Sequence, residues 1–124
     1  MIESWAFDDG TAVASAGAAL LQLRERIAAG QLETWLTSSS GRSLAVISNT
    51  ERAMILLLDG DDDPGEHAID PGADGHSGGF ILANGQHDQY LDHDTLPLAQ
   101  ALRIVSHILT TGAPPTDATW TVDR

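Results

Sequence analysis

The chain has 124 residues, enough for one domain with a real core and too few for two comfortable ones. Its 42% hydrophobic and 19% charged content is that of an ordinary globular protein, which argues against wholesale disorder. Against 18 acids stand 6 arginines and no lysine, a formal net charge of −12 that disfavours binding to a phosphate backbone, and the absence of cysteine excludes disulfides, thiolate zinc sites and cysteine nucleophiles.

The opening stretch "MIESWAFDDG" has an acid where a secretory signal would be basic, and it lacks an apolar core and a small-residue cleavage site. No window is apolar for the length that a membrane span needs. The expectation is a cytoplasmic protein without membrane contact. Next, "TAVASAGAALLQLRERIAAG" predicts a helix from Thr11 or Ala12 to Ala29, with Val13, Gly17, Leu20, Leu23 or Arg24, and Ile27 near one stripe and Gly30 placed to stop it. A helix this rich in Ala is expected to pack closely on a sheet.

Three strands follow in the reading: Glu33 to Ser38, Arg42 to Ser48 and Ala53 to Asp59. The turn-formers Ser39, Ser40 and Gly41, then Asn49, Thr50 and Glu51, separate them, and such short spacing favours an antiparallel meander. A weaker strand, Glu66 to Ile69, leads into a loop, "DPGADGHSGG". The stretch "FILANGQHDQY" then signals a hairpin with Asn84-Gly85 as a type I′ turn.

Leu98, Ala101, Leu102, Val105, Ile108 and Leu109 fall at the 3, 4 spacing of one buried helical stripe. Asp94 or Thr95 is placed to cap this second helix, Pro97 suits its first turn, and Gly112 with Pro114 and Pro115 ends it. Arg103 and His107 lie on its polar face, and the position of His107 near the C-terminal end points to a structural role. "DATWTVDR" supplies a last strand. The elements define an α+β fold: a mainly antiparallel sheet with an N-terminal helix and a second helix before the last strand, in one domain spanning 1–124.

Charge is uneven along this plan. Between Arg52 and Arg103 there is no basic residue, while Asp59, Asp61, Asp62, Asp63, Glu66, Asp70, Asp74, Asp88, Asp92 and Asp94 fall in the same interval. An acidic surface often serves solubility alone, and it also steers basic partners. As a calcium loop, Asp59, Asp61 and Asp63 match positions 1, 3 and 5 of an EF-hand, but the obligatory Gly position holds Pro64 and the bidentate Glu position holds Asp70. His67, His76, His87 and His93 with nearby carboxylates form a second metal-type constellation, without the i, i+4 spacing of a metalloprotease helix. There is no phosphate-cradling loop ending in Gly-Lys, no G-x-S-x-G elbow and no lysine for a Schiff base. No reaction is indicated, so the expectation is a protein that is not an enzyme and has no cofactor.

The block "GGFILANGQHDQYLDHDTLPLAQALRIVSHILTTGAPP" resembles the type 1 immunity family of bacterial polymorphic toxin systems. The similar positions are Gly79 and Phe80, Asn84 and Gly85, Asp88 and Tyr90, Thr95, Leu96 and Pro97, then Gly112, Pro115 and Trp120. "LDGDDDPGEH" is similar to the family's acidic Asp-Pro-Gly turn, with Glu66 where an aromatic residue is expected. The similar stretches run from about Leu56 to Trp120, and their order along the chain carries the weight.

The resemblance implies an inhibitor that protects a toxin-producing cell, often from a toxin with a nucleic-acid deaminase fold. Its partner is then a cognate toxin domain, not nucleic acid itself. Such a toxin grips phosphate backbones and is basic around its active site, so acids on the inhibitor steer association while buried apolar groups supply the lasting affinity. The candidate contacts are Asp59, Asp61, Asp62, Asp63, Glu66, His67, Asp74, His76, Asp88 and Tyr90. Two other readings remain: a small metal-binding module using these Asp and His residues, and an acidic nucleic-acid mimic directed at another basic protein.

Overall fold

A computed structural model describes residues 3–123. Strands β1 (Trp5–Phe7), β2 (Glu33–Ser38), β3 (Ser43–Ser48), β4 (Arg52–Leu58), β5 (Glu66–Ile69) and β9 (Thr119–Val122) form a sheet in that order, with the short β8 (Leu96–Pro97) also pairing with β4. Every pairing is antiparallel. Strands β6 (His76–Ile81) and β7 (His87–Leu91) make a separate hairpin, and the helices are α1 (Ala16–Ala28) and α2 (Leu98–Thr111). The expected α+β architecture is therefore present, with its N-terminal helix and a second helix before the last strand.

Alternation along the strands divides the sheet into two faces. Leu36, Leu44, Val46, Ala53, Ile55, Leu57 and Ala68 point to one face and pack with Leu23 of α1 and with Ala101, Leu102, Ile104, Val105 and Ile108 of α2. Each fully buried Leu, Ile or Val contributes about 1.5–3 kcal/mol. Central strand β3 is buried on its other face too, at Ala45 and Ile47. The β6–β7 hairpin packs against β3, and its Phe80, 0% exposed, lies outside the cluster formed with the helices. The fold is thus helices, sheet and hairpin in three layers.

Five expectations need correction. Helix α1 begins at Ala16, not at Thr11 or Ala12, because the backbone of that segment closes the outer edge of β1: Phe7 N–H donates to Thr11 and Val13 N–H to Trp5. Ser15 supplies the cap, accepting from the Ala18 N–H at 3.1 Å. Gly17 is exposed, and Arg26 joins Ala19, Leu23 and Ile27 on the buried side. Arg26 is accepted there because Asp8 and Asp9 neutralise it and its guanidinium lies over the Phe7 ring.

The hairpin turn is not type I′. That turn needs positive φ at both central residues, and of Asn84-Gly85 only Gly85 has it. Gly85 N–H donates to Leu82 and Leu82 N–H to Gln86, which closes a three-residue loop on the left-handed glycine. The predicted loop "DPGADGHSGG" is also shorter than expected, since His76 to Gly79 already belong to β6, with an irregularity between Ser77 and Phe80.

Asp94 and Thr95 do not cap α2. Leu96 and Pro97 pair with Ala53 and Arg52 of β4, so the chain is extended just where a cap would require it to turn. Asp92–Asp94 form a 3-10 turn instead, Pro97 occupies the N-cap, and the Leu98 N–H is satisfied by the Glu51 carbonyl at 2.9 Å. At the other end Gly112 terminates α2 as expected, and His107 Nδ1 lies 2.7 Å from the Ala113 carbonyl oxygen, fastening the following loop.

Candidate functional site

The acidic turn joins β4 to β5. Its shape comes from hydrogen bonds within the turn: the Asp63 carboxylate accepts the Asp59 N–H at 2.8 Å, and the Asp63 N–H donates to Gly60 at 3.2 Å. Asp59, Asp61 and Asp62 are exposed, while Asp63 and Glu66 are half-buried. Gly65 is buried with φ of 82°, and its carbonyl receives the Asp123 N–H at 2.8 Å. The turn is therefore pinned to the strand beside it, and two carboxylates, Asp61 and Asp62, are held outward.

His67 faces a different environment. Its Nδ1 lies 2.8 Å from Asp123 Oδ2 and its Nε2 3.0 Å from Asp94 Oδ1, which clasps β5, the end of β9 and the 3-10 turn together. Burial opposes the charged ring, but the hydrogen bonds and charges of Asp123 and Asp94 prevail and hold its pKa above the ordinary imidazole value. With a side chain 13% exposed, His67 offers little surface to a partner.

Arg52 organises the neighbouring acids. It donates to Asp70 at 2.8 Å, to the Thr95 hydroxyl at 2.8 Å and to the Asp92 and Thr95 carbonyls at 3.0 Å. Asp92 in turn accepts from the Ser77 hydroxyl at 2.5 Å. Among the acids of the central interval, Asp70, Asp92 and Asp94 are consumed by the fold, Asp63 and Asp88 accept hydrogen bonds within their own turn and hairpin, and Asp61 and Asp62 are presented outward. Sequence gave one signal of this: Arg52 is the last basic residue before the acidic interval, placed to neutralise part of it.

On the hairpin, Tyr90 stacks edge-on against Phe80 at 4.7 Å and donates to Asp88 Oδ2 at 2.9 Å. Burial, with the Asp88 hydrogen bond and the charges of Asp88 and Glu33, pushes the Tyr90 hydroxyl up to about 12. Glu33, which no motif in the sequence singles out, accepts the Trp35 indole N–H at 2.7 Å and the Ala83 N–H at 2.8 Å, tying the sheet to the hairpin. Asp88 and Tyr90 are half-buried, whereas Asp74 and His76 are exposed at the start of the hairpin.

The candidates therefore occupy three places: the acidic turn, the His67 clasp and the hairpin. Among the described residues no three His, Asp or Glu side chains meet in an arrangement that could hold a metal ion. Two depressions of about 530 and 520 Å³ lie on the helical side, the second lined by Leu20, Arg24, Leu102, Arg103 and His107, and neither contains a candidate. Among the described residues no helix is long and apolar enough to cross a membrane. Neither a protein-family model nor a curated protein sequence matches the chain.

Proposed function

We propose that the protein is an immunity protein: it binds a cognate toxin domain, one with a nucleic-acid deaminase fold, and neutralises it in the cytoplasm as a stoichiometric inhibitor with no catalytic activity of its own. The observation that carries the reading is the ordered run of motifs from the acidic Asp-Pro-Gly turn through Phe80, Asn84-Gly85, Tyr90, Pro97 and Gly112 to Trp120. The positions of those residues support it. Phe80 and Tyr90 hold the hairpin, Gly112 ends α2, and Trp120 lies in β9, which adjoins the acidic turn. The motif residues build a scaffold, and the scaffold presents Asp61 and Asp62.

Charge supports the same reading. A toxin that processes nucleic acid is basic around its site, and a chain of net charge −12 with exposed carboxylates on a pinned turn attracts it at long range. The test is co-expression in a sensitive cell with the toxin encoded beside this gene. Growth is expected to be restored, with a stable complex recovered from the cells. Growth arrest despite soluble, folded protein overturns the proposal.

A further inference from the structure

The two edges of the large sheet are treated differently. Outside β1, the chain folds back so that Thr11 to Val13 cover the edge, with hydrogen bonds of 2.8 and 2.9 Å and an Ala6–Ala12 bridge. At the other end stands β9, which among the described residues pairs with β5 alone. The Asp123 N–H donates to the Gly65 carbonyl, so Gly65 and Asp123 face each other as a hydrogen-bonded pair. In an antiparallel ladder such pairs alternate with non-bonded ones. Glu66–Val122 and Ala68–Trp120 are then the non-bonded pairs, which turns the N–H and C=O of Trp120 and Val122 away from β5 toward the open edge. Strand β9 has no proline, no lysine and no bulge to blunt it, and Val122 is 57% exposed.

Charge selects the occupant. The Val122 end meets the close of the acidic turn through the Gly65 contact, and Asp61 and Asp62 of that turn are exposed. The described cations beside this strand are matched already, His67 by Asp94 and Asp123 and Arg103 by Asp117 at 3.3 Å. A second copy is a poor fit: two paired β9 edges would join chains that each carry a net charge of −12, with no unmatched described cation beside the strand to meet Asp61 and Asp62. We propose that the open edge of β9 docks an extended, lysine- or arginine-bearing segment of a partner protein as a further strand. Its backbone pairs with Trp120 and Val122, and its cations meet Asp61 and Asp62. This deepens the reading of the protein as a binder of a basic protein partner and rests on it.

The probe is a synthetic octapeptide alternating valine and lysine, titrated into the full chain at low salt and followed by amide NMR. Saturable binding is expected, with shifts concentrated at Thr119–Asp123 and slowed exchange of the Val122 N–H. The same peptide with glutamate for lysine should bind at least tenfold more weakly. Val122→Pro removes an outward N–H at a position where an edge strand tolerates proline, and Val122→Lys sets a cation on the edge. Each should weaken binding at least fivefold while thermal unfolding stays cooperative. Absence of saturable binding, shifts confined to Asp61–Asp63, equal binding of the glutamate peptide, or full affinity in a folded Val122→Lys each overturns the docking strand. The growth assay separates the two proposals. Failure of the parent chain to protect defeats the immunity reading, whereas a parent that protects and a folded Val122→Lys that protects with unchanged affinity for the toxin defeats only the β9 edge.

Discussion

Gly65→Ala and Gly72→Ala form a matched pair of perturbations of the acidic turn and of a loop elsewhere. Both glycines have positive φ, 82° and 87°, so an alanine at either enters left-handed backbone at a cost of about 1–2 kcal/mol. The surrounding space separates them. A Cβ on Gly65 would stand 2.7 Å from the Leu57 carbonyl oxygen and 3.0 Å from the Leu58 side chain, whereas one on Gly72 would meet nothing within 4 Å. The Leu57 oxygen belongs to β4 and cannot swing aside alone, so the turn must move and strain the Asp123–Gly65 hydrogen bond. Crowding of this kind adds about 1–3 kcal/mol. At about 4 °C per kcal/mol for a domain of this size, Gly65→Ala should melt about 4–12 °C below Gly72→Ala. Thermal and urea unfolding followed by circular dichroism measure the difference. Equal losses at the two positions would refute the packing of the acidic turn against β4, and with it the argument that Asp61 and Asp62 are held outward by a rigid base.

Leu102, 1% exposed on α2, should lose about 2–5 kcal/mol on replacement by Ala, while the exposed Gln100→Ala should be nearly silent in the same unfolding assay. His67 has a folded pKa raised above the ordinary value, so its stabilisation is fully present below the unfolded imidazole pKa and is lost as pH rises through the raised one. His67→Gln should abolish that fall in stability, measured by urea midpoints between pH 5 and 9, and a parent profile that rises over the interval contradicts the clasp. Thr50 is a β-branched residue with φ of 78°, and Thr50→Asn should stabilise the protein by about 1 kcal/mol in a urea titration. Asp61→Asn with Asp62→Asn should slow association with the cognate toxin roughly three- to tenfold at low salt, with the difference shrinking as salt rises. Asp63 is left intact in that variant because it holds the Asp59 N–H; an unchanged association rate removes the turn from the binding mechanism.

What sequence determined here is what depends on neighbours along the chain. The 3, 4 spacing of α2 and the end of that helix at Gly112 were legible, as were β2 and β5 to the residue, because periodicity and stop signals act within a few positions. Three residues carry no period, which hides strand β1, and nothing local to Thr11 shows that its carbonyl accepts from the Phe7 N–H instead of lying in a helix. The caps at Asp94 and Thr95 failed for the same reason. A partner in β4, more than forty positions away, claimed the backbone of Leu96 and Pro97 first.

The candidate site divides along the same line. Composition located the acidic interval and the absence of competing cations within it, since charge is additive along a chain. The position of Arg52 hints that part of that interval is neutralised, but which acids remain available is decided by tertiary structure: Arg52 takes Asp70 and Asp92, His67 takes Asp94 and Asp123, and Asp61 and Asp62 stay exposed. The open edge of β9 is likewise invisible in "TWTVDR". Hydrogen-bond parity against β5 fixes which N–H groups face outward, and that parity is a property of the pair of strands, not of either one.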